Sequence, residues 1–217
     1  MKNNWDRHWS RASNSVFGGF LTLYRKAIIA NAVKHYAEKF FRPQGIFLEC
    51  GSGTSQASGT ITKKARTLVA VDFSLPALRK AVKVPVIDKA LCADIMSLPF
   101  RSGSIDGIWN LGVMEHFSRQ EIARALAEFA RVLKPGSYAV LFWPPKAGHC
   151  HLIITLIESF SRNVLGKEID LFPDEITLYS RHLNIEGIAR RCGFYECRAE
   201  YTARDLFTYA VVICRKR

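Results

Sequence analysis

Five short runs of mainly apolar residues recur along the sequence without the regular polar alternation of a half-exposed strand. They are Ile46–Cys50, Thr67–Val71, a weaker Val86–Cys92, Ile105–Asn110 and Tyr138–Trp143. Helical patterns separate these runs. One leads from the first run to Ala65, one covers Leu75–Val82, and one begins at Ser118 and ends at Pro135-Gly136. Strands that are apolar along their whole length are typical of a parallel sheet covered by helices on both faces.

The C-terminal part of the chain departs from this alternation. A helix over Ile185–Cys192 ends at Gly193, and two further strand-like runs follow, Phe194–Tyr201 and Leu206–Cys214. Only four residues separate these two runs, which is too short for a crossover helix, so they are expected to pair antiparallel. The sequence therefore predicts an α/β fold with an open, mostly parallel seven-stranded sheet, helices on both faces and a C-terminal antiparallel strand pair.

Two parts of the chain lie outside this core pattern. Residues 1–42 are amphipathic and helical in pattern, and Pro43-Gln44-Gly45 separates them from the domain at 43–217. Within that domain, residues 146–181 form an irregular insertion rich in apolar side chains, with a predicted helix at Leu152–Phe160. We expect both parts to lie on the substrate side, either as a lid or as a simple cover of the sheet.

The chain is strongly basic, with 31 Lys and Arg against 19 Asp and Glu and a net charge of +12. Such a balance fits nucleic acid, an anionic membrane surface or an anionic substrate. The basic residues are scattered, so charge alone does not select one of these partners. No apolar run reaches the roughly 20 residues that cross a bilayer.

Cysteine usage and the N-terminal residues bear on the compartment. The six cysteines are widely spaced without a Cys-x-x-Cys pair, as expected for reduced thiols. Charged residues precede the first apolar stretch, unlike a secretory signal, so a cytoplasmic protein is expected. The triplet His149-Cys150-His151 lacks the spacing of further zinc ligands, and no metal is expected there.

A glycine-rich loop, Glu49-Cys50-Gly51-Ser52-Gly53, lies where the first strand ends. The third glycine of a dinucleotide fingerprint would fall on Gln56, and the loop lacks the Gly-Lys-Ser/Thr end of a phosphate-binding P-loop. A carboxylate at Glu49 would repel a pyrophosphate and suit an ammonium or sulfonium group. Asp72, at the end of the second strand, is placed to accept hydrogen bonds from ribose hydroxyls, and a helix cap is the alternative interpretation.

Five motifs occur in order along the chain: Leu48-Glu49-Cys50-Gly51-Ser52-Gly53-Thr54, Val71-Asp72-Phe73-Ser74, Ala93-Asp94-Ile95 with Leu98-Pro99-Phe100, Ile105-Asp106-Gly107-Ile108 with Glu115-His116-Phe117, and Arg131-Val132-Leu133-Lys134-Pro135-Gly136-Ser137. In this ordered set the chain resembles the class I S-adenosylmethionine-dependent methyltransferases, in particular the small-molecule, methyltransferase-11-like subgroup. The resemblance is close over residues 45–143. It implies a Rossmann-like sheet, S-adenosyl-L-methionine as cofactor and S-adenosyl-L-homocysteine as product.

The resemblance also implies a cofactor site. The methionine part would be held by residues of the loop and the fourth strand: Glu49, Gly51, Ser52, Gly53, Asn110 and Leu111. Asp72 would bind the ribose hydroxyls and Phe73 would pack on the adenine. Asp94 would accept from the adenine amino group, with the Ile95 backbone beside the ring. The family usually has glycine where Ser55 stands, and a serine is tolerated there if its φ is negative.

The chemistry and the acceptor are less strongly encoded than the cofactor. Methyl transfer from a sulfonium is an in-line displacement in which the protein mainly positions the nucleophile. His116, just past the fourth strand, is the candidate general base, and a packing role is the alternative. Asn110-Leu111-Gly112-Val113 does not resemble the Asn-Pro-Pro-Tyr of base-amino methyltransferases. We therefore expect a small or lipid-like acceptor and peripheral contact with anionic membrane, with an RNA methyltransferase or a catalytically silent S-adenosylmethionine-binding protein as alternatives.

Overall fold

The computed structural model describes Trp5 and residues 22–146 and 176–217. Within these residues the strands are β1 (Gln44–Cys50), β2 (Ala65–Asp72), β3 (Lys89–Cys92), β4 (Ile105–Leu111), β5 (Leu133–Trp143), β6 (Phe194–Tyr201) and β7 (Ala210–Lys216). The α-helices are α1 (Ala30–Phe40), which continues a π-helical turn at Arg25–Ile29, α2 (Leu75–Ala81), α3 (Arg119–Val132) and α4 (Ile185–Arg191). Short 3-10 turns cover Gln56–Ser58, Met114–His116, Arg181–Leu183 and Ala203–Asp205.

The seven strands form one sheet in the order β3-β2-β1-β4-β5-β7-β6. The first five of these are parallel, and β7 runs antiparallel to both β5 and β6. The predicted mostly parallel, Rossmann-like sheet with a C-terminal antiparallel pair is confirmed. The strand order reverses between β1 and β4, so a crevice opens beyond their carboxyl ends. We call the side of the sheet at which β1 to β5 end the carboxyl edge.

Two apolar layers cover the two faces of the sheet. Successive residues of one strand enter different layers: Phe47 packs with α1 and α2, whereas Leu48 packs with α3 and α4. Trp109 of β4 and Phe142 of β5 belong to the first layer, and both are almost completely buried. Because both faces are covered, these strands carry apolar residues at most positions, whichever face a side chain points to.

Helix α3 begins as its sequence predicts. Ser118 is the N-cap, and its side chain and that of Glu121 form a reciprocal capping box. The helix ends at Val132, however, and β5 begins at Leu133, so Pro135-Gly136 lies inside a strand instead of ending the helix. The register of β5 on β4 shifts at this point. The proline therefore lies in a bulge, where its missing N–H does not interrupt the hydrogen bonds between the strands.

Two predicted elements are wrong. No α-helix leads from the glycine loop to Ala65, since only the 3-10 turn Gln56–Ser58 forms there. The segment 59–62 reads Gly-Thr-Ile-Thr, whose glycine and β-branched residues disfavour a helix. The last strand does not begin at Leu206, because residues 203–207 form a turn and β7 starts at Ala210.

Cys197 and Cys214 form a disulfide between β6 and β7. They are directly opposite in the register of this antiparallel pair, with Cα atoms 4.1 Å apart. The expectation that all cysteines are reduced is therefore wrong for these two, because strand pairing joins positions that are 17 residues apart in sequence.

The two segments outside the core pattern are described only in part. Residues 22–40 of the N-terminal segment are helical. Of the insertion at 146–181, residues 147–175 lie outside the described residues, as do the predicted helix Leu152–Phe160 and the triplet His149-Cys150-His151. Within the described ranges, none of the helices is long and apolar enough to cross a membrane. In the same ranges, His, Cys, Asp and Glu do not gather into a group of three that could hold a metal ion.

Candidate cofactor-binding site

The glycine loop after β1 turns tightly against the end of β2. The backbone N–H groups of Gly51 and Ser52 both donate to the carbonyl oxygen of Val71, at 2.8 and 3.0 Å. Gly51 has a φ of 70°, and a Cβ atom on it would lie only 2.7 Å from a methyl carbon of Val113. Any side chain at this position would therefore collide with the segment that follows β4, and glycine is required.

Asp72 ties the loop to the start of α2. Its carboxylate is 6% exposed, with Oδ2 accepting the N–H of Gly53 and Oδ1 accepting the N–H of Ser74, each at 2.8 Å. Ser74 is itself the N-cap residue of α2, so Asp72 precedes the capping position. Both donors are backbone N–H groups, so the carboxylate is fixed at the end of β2, between the glycine loop and the start of α2.

Glu49, the second-last residue of β1, places its carboxyl group inside the protein. It is 3% exposed, and burial raises its pKa to about 7 despite opposing hydrogen bonds. The Ser58 hydroxyl donates to Oε1 at 2.8 Å, and the Trp109 indole N–H donates to that hydroxyl oxygen at 3.2 Å. Oε2 is buried without a hydrogen-bond partner. Glu49 is therefore close to half-ionised at neutral pH and retains an unused acceptor.

Asn110, near the end of β4, is completely buried. Neither its Nδ2 nor its Oδ1 has a hydrogen-bond partner among the described residues. Glu49 pairs with Trp109 in the β1–β4 register, so Asn110 lies one position further toward the crevice, followed by the half-buried Leu111. Buried amides are normally satisfied, and both the donor and the acceptor of this one suit a polar ligand between β1 and β4.

Ser55 departs from the expected backbone of the loop. A serine is expected to need a negative φ at this position. The observed φ is 53°, in the left-handed region. Its N–H donates to the carbonyl oxygen of Ser52 at 2.8 Å, which holds the turn. The Ser55 hydroxyl is buried and lowers the pKa of Glu49. It has no hydrogen bond of acceptable geometry with any described residue. The left-handed backbone explains why related loops have glycine here.

The ends of β2 and β3 carry the three residues assigned to the adenine. Phe73 is half-buried directly after β2, and the N–H of Ala93 donates to the carbonyl oxygen of Asp72 at 3.1 Å, which joins the two strand ends. Asp94 is exposed, and its Oδ1 accepts the N–H of Met96 at 2.8 Å. Ile95 is 6% exposed. The structure thus places all ten candidate cofactor residues along the carboxyl edge of β1 to β4.

His116 lies in the 3-10 turn after β4 and is 6% exposed. Its Nε2 is 3.7 Å from Glu115 Oε1, and the Trp5 ring meets the imidazole edge-on with centroids 4.8 Å apart. The N–H groups of Ile176 and Thr177 donate to the Glu115 carbonyl oxygen at 2.7 and 2.8 Å. Both segments outside the core pattern therefore reach this turn.

Sequence reasoning did not identify the support of Glu49 by Ser58 and Trp109, nor the contact of Trp5 with His116. The paired residues are 51 and 111 positions apart in sequence, and local periodicity carries no information at such separations. A buried indole N–H needs a hydrogen-bond partner, and this is the one sequence signal that could have indicated the role of Trp109.

Comparison with protein families identifies the domain. A methyltransferase-domain family model matches residues 48–141, which include the glycine loop, Asp72, Asp94 and His116. An uncharacterized chloroplastic methyltransferase of Arabidopsis thaliana is 30% identical over 198 residues, covering 87% of this chain and 52% of that protein. The mouse tRNA (carboxymethyluridine(34)-5-O)-methyltransferase ALKBH8 is 40% identical over 55 residues, covering 25% of this chain and 8% of that protein.

These relatives are longer proteins, and the aligned part of this chain spans at most about half of their length. Among solved structures, an S-adenosylmethionine-dependent methyltransferase from Archaeoglobus fulgidus superimposes with a TM-score of 0.65 at 15% identity. The superposition covers 91% of this chain and 99% of that one, and at this identity it establishes the fold. The family match from β1 to β5 and the sheet order thus show that this chain contains a methyltransferase domain with the class I S-adenosylmethionine-dependent methyltransferase fold.

Proposed function

We propose that the protein binds S-adenosyl-L-methionine at the carboxyl edge and transfers its methyl group to a small or lipid-like acceptor. The observation that carries this proposal is the completely buried Asn110, whose amide donor and acceptor lack protein partners beside the crevice. The buried Oε2 of Glu49 is a second unused acceptor one strand away. An amino acid moiety with an ammonium and a carboxylate offers the complementary donors and acceptors.

The ten candidate residues divide by chemistry. Gly51, Ser52 and Gly53 let the backbone approach the methionine part, with Glu49 facing its positive charge and Asn110 and Leu111 lining the other side. Asp72 accepts from the ribose hydroxyls, because its carboxylate lies at the end of β2, where acids bind ribose in nucleoside-binding folds. Phe73 and Ile95 pack on the adenine, and Asp94 accepts from its amino group.

The reaction needs orientation more than acid–base power. The bound cofactor supplies an electrophilic methyl group on a sulfonium that leaves as a neutral thioether. The protein holds the acceptor in line with that bond and excludes water. His116 takes the proton of the acceptor where one is lost, because it is buried at the crevice side of β4 with Glu115 and Trp5 around it.

An RNA acceptor is the second candidate. The similarity to a tRNA methyltransferase and the net charge of +12 favour it. That similarity covers only 25% of this chain, and the sequence at the end of β4 is Asn110-Leu111-Gly112-Val113 rather than the motif of base-amino methyltransferases. The small or lipid-like acceptor therefore remains our proposal.

Isothermal titration calorimetry with S-adenosylmethionine and S-adenosylhomocysteine tests the site. We expect both to bind the wild type, and Asp72→Asn to bind each roughly tenfold more weakly, since one hydrogen bond to a charged group contributes about 1.5–3 kcal/mol. Glu196→Gln on β6, a carboxyl-to-amide change away from the crevice, is the matched control. If the wild type binds neither ligand, the proposal is wrong.

Transfer of tritium from labelled cofactor tests the acceptor. The label is followed into lipid, metabolite and RNA fractions with wild type and His116→Asn. We expect label in the lipid or metabolite fraction; label only in RNA would select the second candidate. Cofactor binding without labelled product in any fraction would identify a catalytically silent protein.

A further inference from the structure

The exposed large apolar side chains are distributed unevenly between the two edges of the sheet. Among the described residues, those at the carboxyl edge are Leu23, Leu75, Ile176, Tyr201, Leu206 and Phe207, and those at the opposite edge are Ile46, Val82 and Tyr195. Tyr201 and the turn after it belong to the carboxyl edge because Tyr201 pairs with Ala210, which in turn pairs with Trp143 at the end of β5. Most of the exposed large apolar side chains therefore lie on the same side of the sheet as the candidate cofactor site.

The turn between β6 and β7 presents two of these side chains at its tip. Leu206 and Phe207 are 51% and 50% exposed, and both have a left-handed backbone with φ of 55° and 57°. Bulky residues rarely adopt this conformation, and such strained positions persist only where the surroundings enforce them. Here the Phe207 N–H donates to the carbonyl oxygen of Thr202 at 2.9 Å, and the Tyr209 N–H donates to Oδ2 of the buried Asp205 at 3.1 Å.

The N-terminal helical segment lies against this turn. The Tyr24 hydroxyl forms a hydrogen bond with the Thr208 hydroxyl and donates to the carbonyl oxygen of Asp205 at 3.3 Å. Leu23, which is 65% exposed, is therefore held beside the turn. We call Leu23, Leu206 and Phe207 the apolar tip.

Positive charge borders the apolar tip. Lys26 and Arg204 are exposed and Arg25 is half-buried, all within three residues of a tip residue along the chain. The neighbouring acids do not cancel these charges: Asp205 is completely buried, and burial raises its pKa. Glu200 is occupied by Lys39 at 3.9 Å and Arg198 at 3.7 Å.

We infer that the carboxyl edge docks on an anionic lipid bilayer, with the apolar tip inserted at the level of the acyl chains and Lys26, Arg25 and Arg204 at the lipid phosphates. Protruding apolar side chains ringed by cations match this surface, since insertion requires no shape complementarity and anionic lipids attract each basic residue. The crevice then opens toward the membrane. A lipid-like acceptor would enter the crevice directly from the bilayer, and this route for the acceptor rests on the proposed function.

Vesicle co-sedimentation without cofactor tests the docking. Vesicles of phosphatidylcholine with 30% phosphatidylglycerol are compared with pure phosphatidylcholine. We expect wild type to bind the anionic vesicles at least about tenfold more tightly, with the difference shrinking at high salt. The variant Leu206→Gly/Phe207→Gly removes the apolar side chains and suits the left-handed backbone. We expect it to lose at least about tenfold in anionic-vesicle binding, while Val82→Gly at the opposite edge binds as wild type.

Several outcomes would overturn the inference. These are absence of wild-type binding, equal binding by the tip variant, or an equal loss in the Val82 control. A concentration-dependent dimer in light scattering that the tip variant abolishes, without vesicle binding, would assign the tip to a second copy of the chain. Calorimetric cofactor binding by the tip variant reports independently on the proposed function, so the two proposals can fail separately.

Discussion

Replacement of Glu49 by glutamine tests the central electrostatic feature of the site. Burial raises the pKa of Glu49 to about 7 in the absence of ligand. A ligand carrying a positive charge favours the carboxylate, so binding should return this pKa toward its ordinary value of 4.5 and expel a proton. Cofactor binding by the wild type is therefore expected to strengthen as the pH rises toward 7 and to level off above it.

The size of the effect follows from the two pKa values. A group that titrates near 7 when free and near 4.5 when liganded makes the affinity about 30-fold lower at pH 5.5 than at pH 8. The same group affects folding. Because the native state holds the Glu49 proton while the unfolded state releases it, stability falls between pH 4.5 and 7, by about 3 kcal/mol in total.

Calorimetry between pH 5.5 and 8, in two buffers of different ionisation enthalpy, measures both the affinity and the proton released. We expect the wild type to release close to one proton at pH 6, and Glu49→Gln to lose this release together with most of the pH dependence. Glu196→Gln, half-buried on β6 and away from the crevice, serves as the control and should behave as wild type. An unchanged pH slope in Glu49→Gln would refute the assignment of a cation-facing carboxylate.

Two further changes test the backbone around the site by urea unfolding. Ser55→Gly should raise the free energy of unfolding by about 1 kcal/mol, because it removes a left-handed serine with a buried, unpartnered hydroxyl. Ser180→Gly, in an extended segment, should bring no gain, and a gain there or a loss at Ser55 would contradict the reasoning. Ser118→Ala should lower the free energy by about 1 kcal/mol, since it breaks the capping box of α3. An unchanged midpoint would show that the box contributes nothing.

The strands could be predicted because their burial leaves a local signature. In the second half of β1 every side chain is buried, whichever face it points to, so a mainly apolar run, interrupted by Glu49, marks the strand. The weakest prediction is the third strand, which is expected to begin at Val86 but forms only over Lys89–Cys92. This strand, β3, is the outermost strand on one side of the sheet. The residues of this strand are half-buried or exposed, so the sequence lacks the continuous apolar run that marks a buried strand.

The turns and the cross-chain contacts could not be predicted in the same way. The left-handed Leu206 and Phe207 are predicted from the sequence as the start of a strand, because they precede an apolar run and phenylalanine favours extended backbone. In the folded chain, hydrogen bonds to Thr202 and Asp205 hold the turn instead. The Cys197–Cys214 pair depends on a register that two short strands do not specify by pattern alone. Local preference was overridden in both cases by contacts that form only in the folded sheet.

Several locally unfavourable features lie close to the glycine loop, and their cost argues for a ligand. A carboxyl group with its pKa raised to about 7, an unpartnered buried amide at Asn110 and a left-handed Ser55 all lie at or just beyond the carboxyl ends of β1 and β4. Apolar residues of similar size at Glu49 and Asn110 would be cheaper for a protein that only keeps the fold. A charged amino acid ligand offsets the first two costs directly, whereas a partner bound elsewhere on the surface offsets neither. For this reason the crevice supports cofactor binding more strongly than it supports any particular acceptor, and Glu49→Gln tests the step on which the acceptor proposals depend.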